Sequence, residues 1–141
     1  MHHTILVGLD GSPREPAVLE EAVAIAKADG ATLHLCRAMT IPLSIPAAVW
    51  TLQGDDFSNF LVEHGEAELR TSAEAIPEKM RGKAIARIGQ PADVICALAK
   101  ELEADLVVIG SHGYEGIDRL LGTTAAKVVN RAPCSVLVAR R

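Results

Sequence analysis

Thr4-Ile5-Leu6-Val7-Gly8-Leu9-Asp10-Gly11-Ser12 opens the chain with an apolar, partly β-branched run and closes on a carboxylate and a hydroxyl set among glycines. A continuous apolar run bounded by turn residues is the pattern of a strand covered on both faces, and such strands belong to parallel sheets. The pattern recurs at Thr32 to Cys36, Leu106 to Ile109 and Ser135 to Val138. Lys83 to Ile88 is a weaker version, in which Ala84, Ala86 and Ile88 alternate with more polar neighbours before Gly89, as suits a strand nearer a sheet edge.

Helical spacing fills the intervals. Ala17, Val18, Ala22, Ile25 and Ala26 form a stripe after Ser12-Pro13, predicting a helix capped by Ser12, with Pro13 in its first turn and Gly30 as its stop. Phe57 to Ile76 is predicted as a second helix ending before Pro77, Pro91 to Leu102 as a third, and Thr123 to Arg131 as a fourth ended by Ala132-Pro133. Met39 to Asp56, carrying Pro42, Pro46, Trp50 and Gly54, reads as a long loop, either a lid or a partner surface. Strands alternating with helices require right-handed crossovers, so the helices must cover both faces of the sheet.

Composition narrows the function. The chain has 141 residues, 49% of them hydrophobic and 23% charged, which suits one folded domain over residues 1–141 and excludes disorder. A net charge of −4 leaves no footprint for nucleic acid, and 3% aromatic residues leave no base-stacking platform. The 3 cysteines, Cys36, Cys96 and Cys134, lie in apolar runs without C-x-x-C spacing, as expected of free thiols in a reducing compartment. No apolar stretch approaches the roughly 20 residues of a membrane span, and the first apolar run is too short for a signal peptide, so a cytoplasmic protein is expected.

The chemistry is expected beyond the carboxyl ends of the strands, where open parallel sheets bind ligands. Gly8-Leu9-Asp10-Gly11-Ser12 follows the first strand; Gly110-Ser111-His112-Gly113-Tyr114-Glu115-Gly116 follows the fourth; Gly122-Thr123-Thr124 opens the last helix. Glycine-rich turns and a helix start present N–H groups to an anion, so these segments can cradle phosphates. The hydroxyls of Ser111, Thr123 and Thr124 would add hydrogen bonds, and Asp10 would take ribose hydroxyls or hold a metal ion through oxygen. The same residues also suit ordinary turns and caps, and both readings stand. His112 is either a phosphate donor or a solvent-facing loop residue. His34 reads as a packed or hydrogen-bonded strand residue, and no metal site is legible. Neither G-x-x-x-x-G-K-[ST] nor G-x-G-x-x-G after the first strand is present, and the G-x-S-x-G elbow is missing too, which argues against a phosphoryl-transfer engine, a dehydrogenase and a hydrolase.

Gly110-x2-Gly113-x8-Gly122-Thr123, the opening Ile5 to Ser12, Gly89-Gln90-Pro91, Leu33-His34-Leu35, Asp105 to Gly110 and the closing Ala132 to Val138 together resemble the universal stress proteins, over essentially the whole chain. The resemblance implies ATP binding. Asp10, within Leu9 to Ser12, would meet the nucleoside end, the backbone of Leu35 the adenine, and Gly110, Gly113, Gly122 and Thr123 the phosphates, with Gly11, Ser111, His112 and Thr124 beside them. The glycine loop is one residue shorter than the family's usual spacing. The resemblance also implies a homodimer paired through Ser135 to Val138. The expectation is therefore an α/β domain with a single doubly wound five-stranded parallel sheet, order 3-2-1-4-5, acting as a nucleotide-binding sensor that takes ATP with Mg²⁺ and hydrolyses it slowly at most. The alternative is a dimeric interaction protein of the same fold without nucleotide.

Overall fold

The computed structural model describes residues 1–41, 47–111 and 121–140, giving only the backbone for 47–55. Along the chain run β1 (Thr4–Gly8), α1 (Glu15–Asp29), β2 (Thr32–Met39), α2 (Ala47–Ser72), β3 (Arg81–Ile88), α3 (Pro91–Glu101), β4 (Leu106–Gly110), α4 (Thr123–Arg131) and β5 (Ser135–Ala139). Two 3₁₀ turns, Ala73–Ala75 and Glu78–Met80, join α2 to β3. The strands form one parallel sheet in the order β3-β2-β1-β4-β5, the expected doubly wound arrangement.

Strand order explains why the apolar runs are continuous. The chain leaves β1 toward β2 and β3, then crosses back to β4 and β5, and right-handed crossovers place α1 and α2 on one face and α3 and α4 on the other. Ile5 and Val7 pack under α1 and α2, whereas Leu6 between them packs under α3. In β4, Leu106 and Val108 face the first core, and Val107 and Ile109 face the second. Every position in these strands meets a core, so no polar alternation survives.

Several boundaries differ from the sequence reading, and four of the differences have a clear physical reason. α1 begins at Glu15, with Arg14 at the N-cap and Pro16 in the first turn, so Ser12 does not cap it. Ser12 instead accepts the Arg14 N–H on Oγ at 3.3 Å and the Glu15 N–H on its carbonyl at 3.0 Å, which makes a separate turn ahead of the helix. α2 begins at Ala47 rather than Phe57, so most of the expected 39–56 loop is helical; residues 42–46 and the Trp50 side chain lie outside the described residues. Gly54 costs about 1 kcal/mol inside a helix, but extending an existing helix is cheap, and the later turns are anchored by Leu69 in the core and by Gly65 against Met39. β2 continues past Cys36 to Met39, because its charged residue, Arg37, is paired within the fold.

The fourth shift starts β3 at Arg81 rather than Lys83. Leu33 pairs with Arg81 but Leu35 with Ala84, so β3 carries an extra residue opposite His34. The Lys83 N–H donates to His34 Nδ1 at 2.8 Å, so the imidazole serves as its acceptor beside the irregularity. Gly82 is required there, since a Cβ would stand 2.4 Å from that nitrogen. Burial, helped by the Lys83 charge, holds His34 below its usual pKa, in keeping with an unprotonated Nδ1.

Candidate functional site

β1 and β4 are neighbours, and the chain leaves them toward opposite faces of the sheet, which opens a crevice at their carboxyl ends. A cleft of about 480 Å³ lies there. It is lined by Gly8, Leu9 and Asp10 after β1, Ser12, Glu15 and Val18 at α1, and Cys36, Arg37, Ala38 and Thr40 along β2. Pro91 and Ile95 of α3, Ile109 and Gly110 of β4, and Thr124 and Ala125 of α4 complete it. Its size falls within the roughly 300–1,000 Å³ usual for small-molecule sites. A roomier hollow of about 700 Å³ lies between α1 and the end of α2, lined largely by Pro13, Pro16, Leu19, Val23, Ala24 and Ala75. That hollow also has Ser12, Glu15, Glu20, Lys27, Thr71 and Ser72 in its lining and shares the first two with the cleft, but only the cleft is lined by the carboxyl ends of β1 and β4.

The cleft gathers Leu9, Asp10, Ser12, Gly110 and Thr124 of the residues expected from sequence. Gly11 bridges them in a left-handed conformation, φ +77°, which a side chain would strain. Asp10 Oδ1 accepts the Ser12 N–H at 3.0 Å, which shapes the turn and orients the carboxylate. Thr123 is exposed at the start of α4. Leu35 is not in the cleft lining: it is 1% exposed in the α1/α2 core, paired with Val7. β2 runs on past Cys36, and its part of the cleft wall is Cys36 to Ala38 with Thr40.

Two amides expected in the phosphate cradle serve the fold instead. Ser111 N–H donates to the Ala139 carbonyl at 3.0 Å, and Gly122 N–H to the Ser111 carbonyl at 3.1 Å, tying the two ends of the 111–122 segment together. His112 and Gly113 lie outside the described residues.

Charge is distributed unevenly across the cleft. α1 has Glu15 in its first turn and α3 has Asp93, each offsetting the partial positive charge of its own helix start. α4 has no acidic residue in its own first turn, and a helix start, with its roughly half positive charge, suits an anion. The opposite wall carries Asp10 and the Glu15–Arg37 ion pair. An elongated ligand with a hydroxylated end and an anionic end would match both walls. Among the described residues no three His, Cys, Asp or Glu side chains are grouped to hold a metal ion.

The sequence reading missed Arg37 and Glu15. Arg37 is 9% exposed, with Nη2 3.2 Å from Glu15 Oε2 and Nη1 paired with Glu68. The Arg37 hydrogen bond holds Glu68 below the usual carboxylate range. The available signal was a lone cation inside an otherwise apolar run, which a buried strand tolerates only when it is neutralised. Among the described residues no helix is long and apolar enough to cross a membrane.

Comparison with known proteins agrees with this architecture. Residues 1–140 match the model of the universal stress protein family. Universal stress protein YxiE of Bacillus subtilis is 32% identical over 99% of this chain and 100% of its own length. The structure of universal stress protein UspA from Lactobacillus plantarum superposes with a TM-score of 0.77 at 27% identity, covering 98% of this chain and 97% of that one. A universal stress protein crystallised in complex with cAMP gives 0.65 at 29% identity, over 97% and 96% of the two chains. Matched from end to end by the family model and by a curated relative, the chain belongs to the universal stress protein family.

Proposed function

We propose that the protein is a cytoplasmic nucleotide-binding regulator of the stress response, taking ATP with Mg²⁺ in the switch-point cleft and hydrolysing it slowly at most. The observation that carries the reading is the make-up of the cleft, with Asp10 and the Glu15–Arg37 ion pair on one wall and the start of α4, which has no acidic residue in its own first turn, on the other. The nucleoside would lie toward β1 and β2, its ribose at Asp10, and the phosphates toward Gly110, Thr123 and Thr124. Support comes from the 29% identical family member crystallised with cAMP. Bound nucleotide would order the surface around the cleft, and a protein partner would read that change.

β5 is an edge strand, and Val136, Leu137 and Val138 are half-buried along it, an edge that a second copy would cover. The regulator would thus be a homodimer, and Val136→Lys should convert it to monomer by light scattering.

Thermal denaturation with ATP, AMP or cAMP, each with and without Mg²⁺, tests the nucleotide reading. A ligand at a hundred times its Kd adds about 2.7 kcal/mol, a rise of several degrees in Tm. No rise at millimolar concentrations of any of them would sink it. The internal use of the Ser111 and Gly122 amides favours a second reading, a dimeric interaction protein without nucleotide, and that null result would support it.

A further inference from the structure

We infer that Arg37 is a positioning residue of the cleft, its guanidinium serving as the floor on which the Asp10-Gly11-Ser12 turn rests so that Asp10 faces the ribose. The inference rests on the nucleotide reading above and adds a residue to it. Strand alternation puts Leu33, Leu35 and Arg37 in one row under α1 and α2, the first two in the apolar core and the third a cation only 9% exposed. Two helices hold it, α1 through Glu15 at 3.2 Å and α2 through Glu68, and the Ser72 hydroxyl of α2 steadies Glu15 by donating to its Oε1 at 2.6 Å.

Stability alone does not ask for an ion cluster here, because an apolar side chain of similar volume usually serves a buried position as well or better. Nor is the guanidinium fully satisfied, since Arg37 Nε is buried without a hydrogen-bond partner among the described residues. What this arrangement does achieve is contact with the turn. A Cβ on Gly11 would lie 2.9 Å from Nη2, 3.2 Å from Cζ and 3.5 Å from Nη1, so the Gly11 backbone sits against the body of the guanidinium rather than against one atom. Its left-handed φ of +77° and the Asp10–Ser12 hydrogen bond complete the turn. A planar, two-armed cation can pair with two carboxylates and still offer a flat surface, whereas a lysine ammonium cannot. Arg37 therefore acts through Gly11 and need not touch the ligand.

The test crosses a protein change with a ligand change. Kd values for ATP and 2′,3′-dideoxy-ATP are measured by calorimetry on the full chain, wild type and Arg37→Lys, with Tm recorded for each. In the wild type, loss of the ribose hydroxyls should weaken binding about tenfold or more. In Arg37→Lys that ratio should shrink to about threefold or less, through loss of ATP affinity, because a misplaced Asp10 no longer distinguishes the two ligands. Should the lysine variant not fold, Arg37→Met is read by the same ratio. A variant that retains the wild-type ratio, whether or not both affinities fall together, shows a merely structural arginine and overturns the inference. Equal wild-type affinities overturn it while leaving the nucleotide reading intact, and a wild type that binds neither ligand overturns both.

Discussion

Cys36 and Arg37 are successive residues of β2 that point to opposite faces of the sheet and live in opposite chemistry. On the α3/α4 side Cys36 is 0% exposed among Leu6, Ile95, Leu98 and Val107, and burial pushes its thiol up to about 12. On the α1/α2 side Arg37 is a cation at 9% exposure, and Glu15 and Glu68 converge on it from two helices. Burial thus keeps the thiol neutral on one face, whereas on the other a buried cation is accommodated because opposite charges arrive with it. A dry face needs only volume; the ionic patch needs α1 and α2 to be placed correctly, which ties the shape of the cleft to the packing of both helices.

The contrast breaks most visibly at Arg37. Arg37→Met should cost roughly 2–4 kcal/mol in urea denaturation, below the full value for a buried pair because Glu68 can relax toward water. Adding Glu15→Gln and Glu68→Gln should restore most of that loss; failure to do so would mean that the guanidinium contributes packing rather than charge. On the dry face, Cys36→Ser should cost about 1–2 kcal/mol by placing a hydroxyl where a weakly polar thiol sat, measured in the same way.

Acid titration sharpens the comparison further. Glu68 has a folded pKa below its ordinary 4.5, chiefly through the Arg37 hydrogen bond. The unfolded chain therefore takes up the proton first, so this contribution is complete above the ordinary value and drains away as pH falls through the folded one. The slope of stability against pH below 4.5 should accordingly be shallower in Arg37→Met than in wild type. The smallest effect concerns the thiols. At pH 8 iodoacetamide should label Cys96 and Cys134, both partly exposed, slowly, since burial raises both, and Cys36 only after unfolding, as read by mass spectrometry. Labelling of native Cys36 at a comparable rate would show that the α3/α4 core opens.

Position along the chain determined much of this without coordinates. Four uninterrupted apolar runs and a fifth alternating one, separated by helical stripes, suffice for a doubly wound parallel sheet, because only strands covered on both sides can dispense with polar positions. Asp10, Gly110 and Thr124 were legible as residues of the cleft for the same reason: turns that follow strands in such a sheet end at its carboxyl edge.

Tertiary structure alone decided what depends on partners distant in sequence. Arg37 marked a plausible end for β2 until Glu15 and Glu68 were brought to it, 22 and 31 residues away, and only then could the strand continue and leave Leu35 inside the core. Whether the Ser111 amide would face a ligand or the fold was likewise settled by where the Ala139 carbonyl comes to rest. A residue's own chemistry says what it must pair with; the fold determines whether that partner arrives.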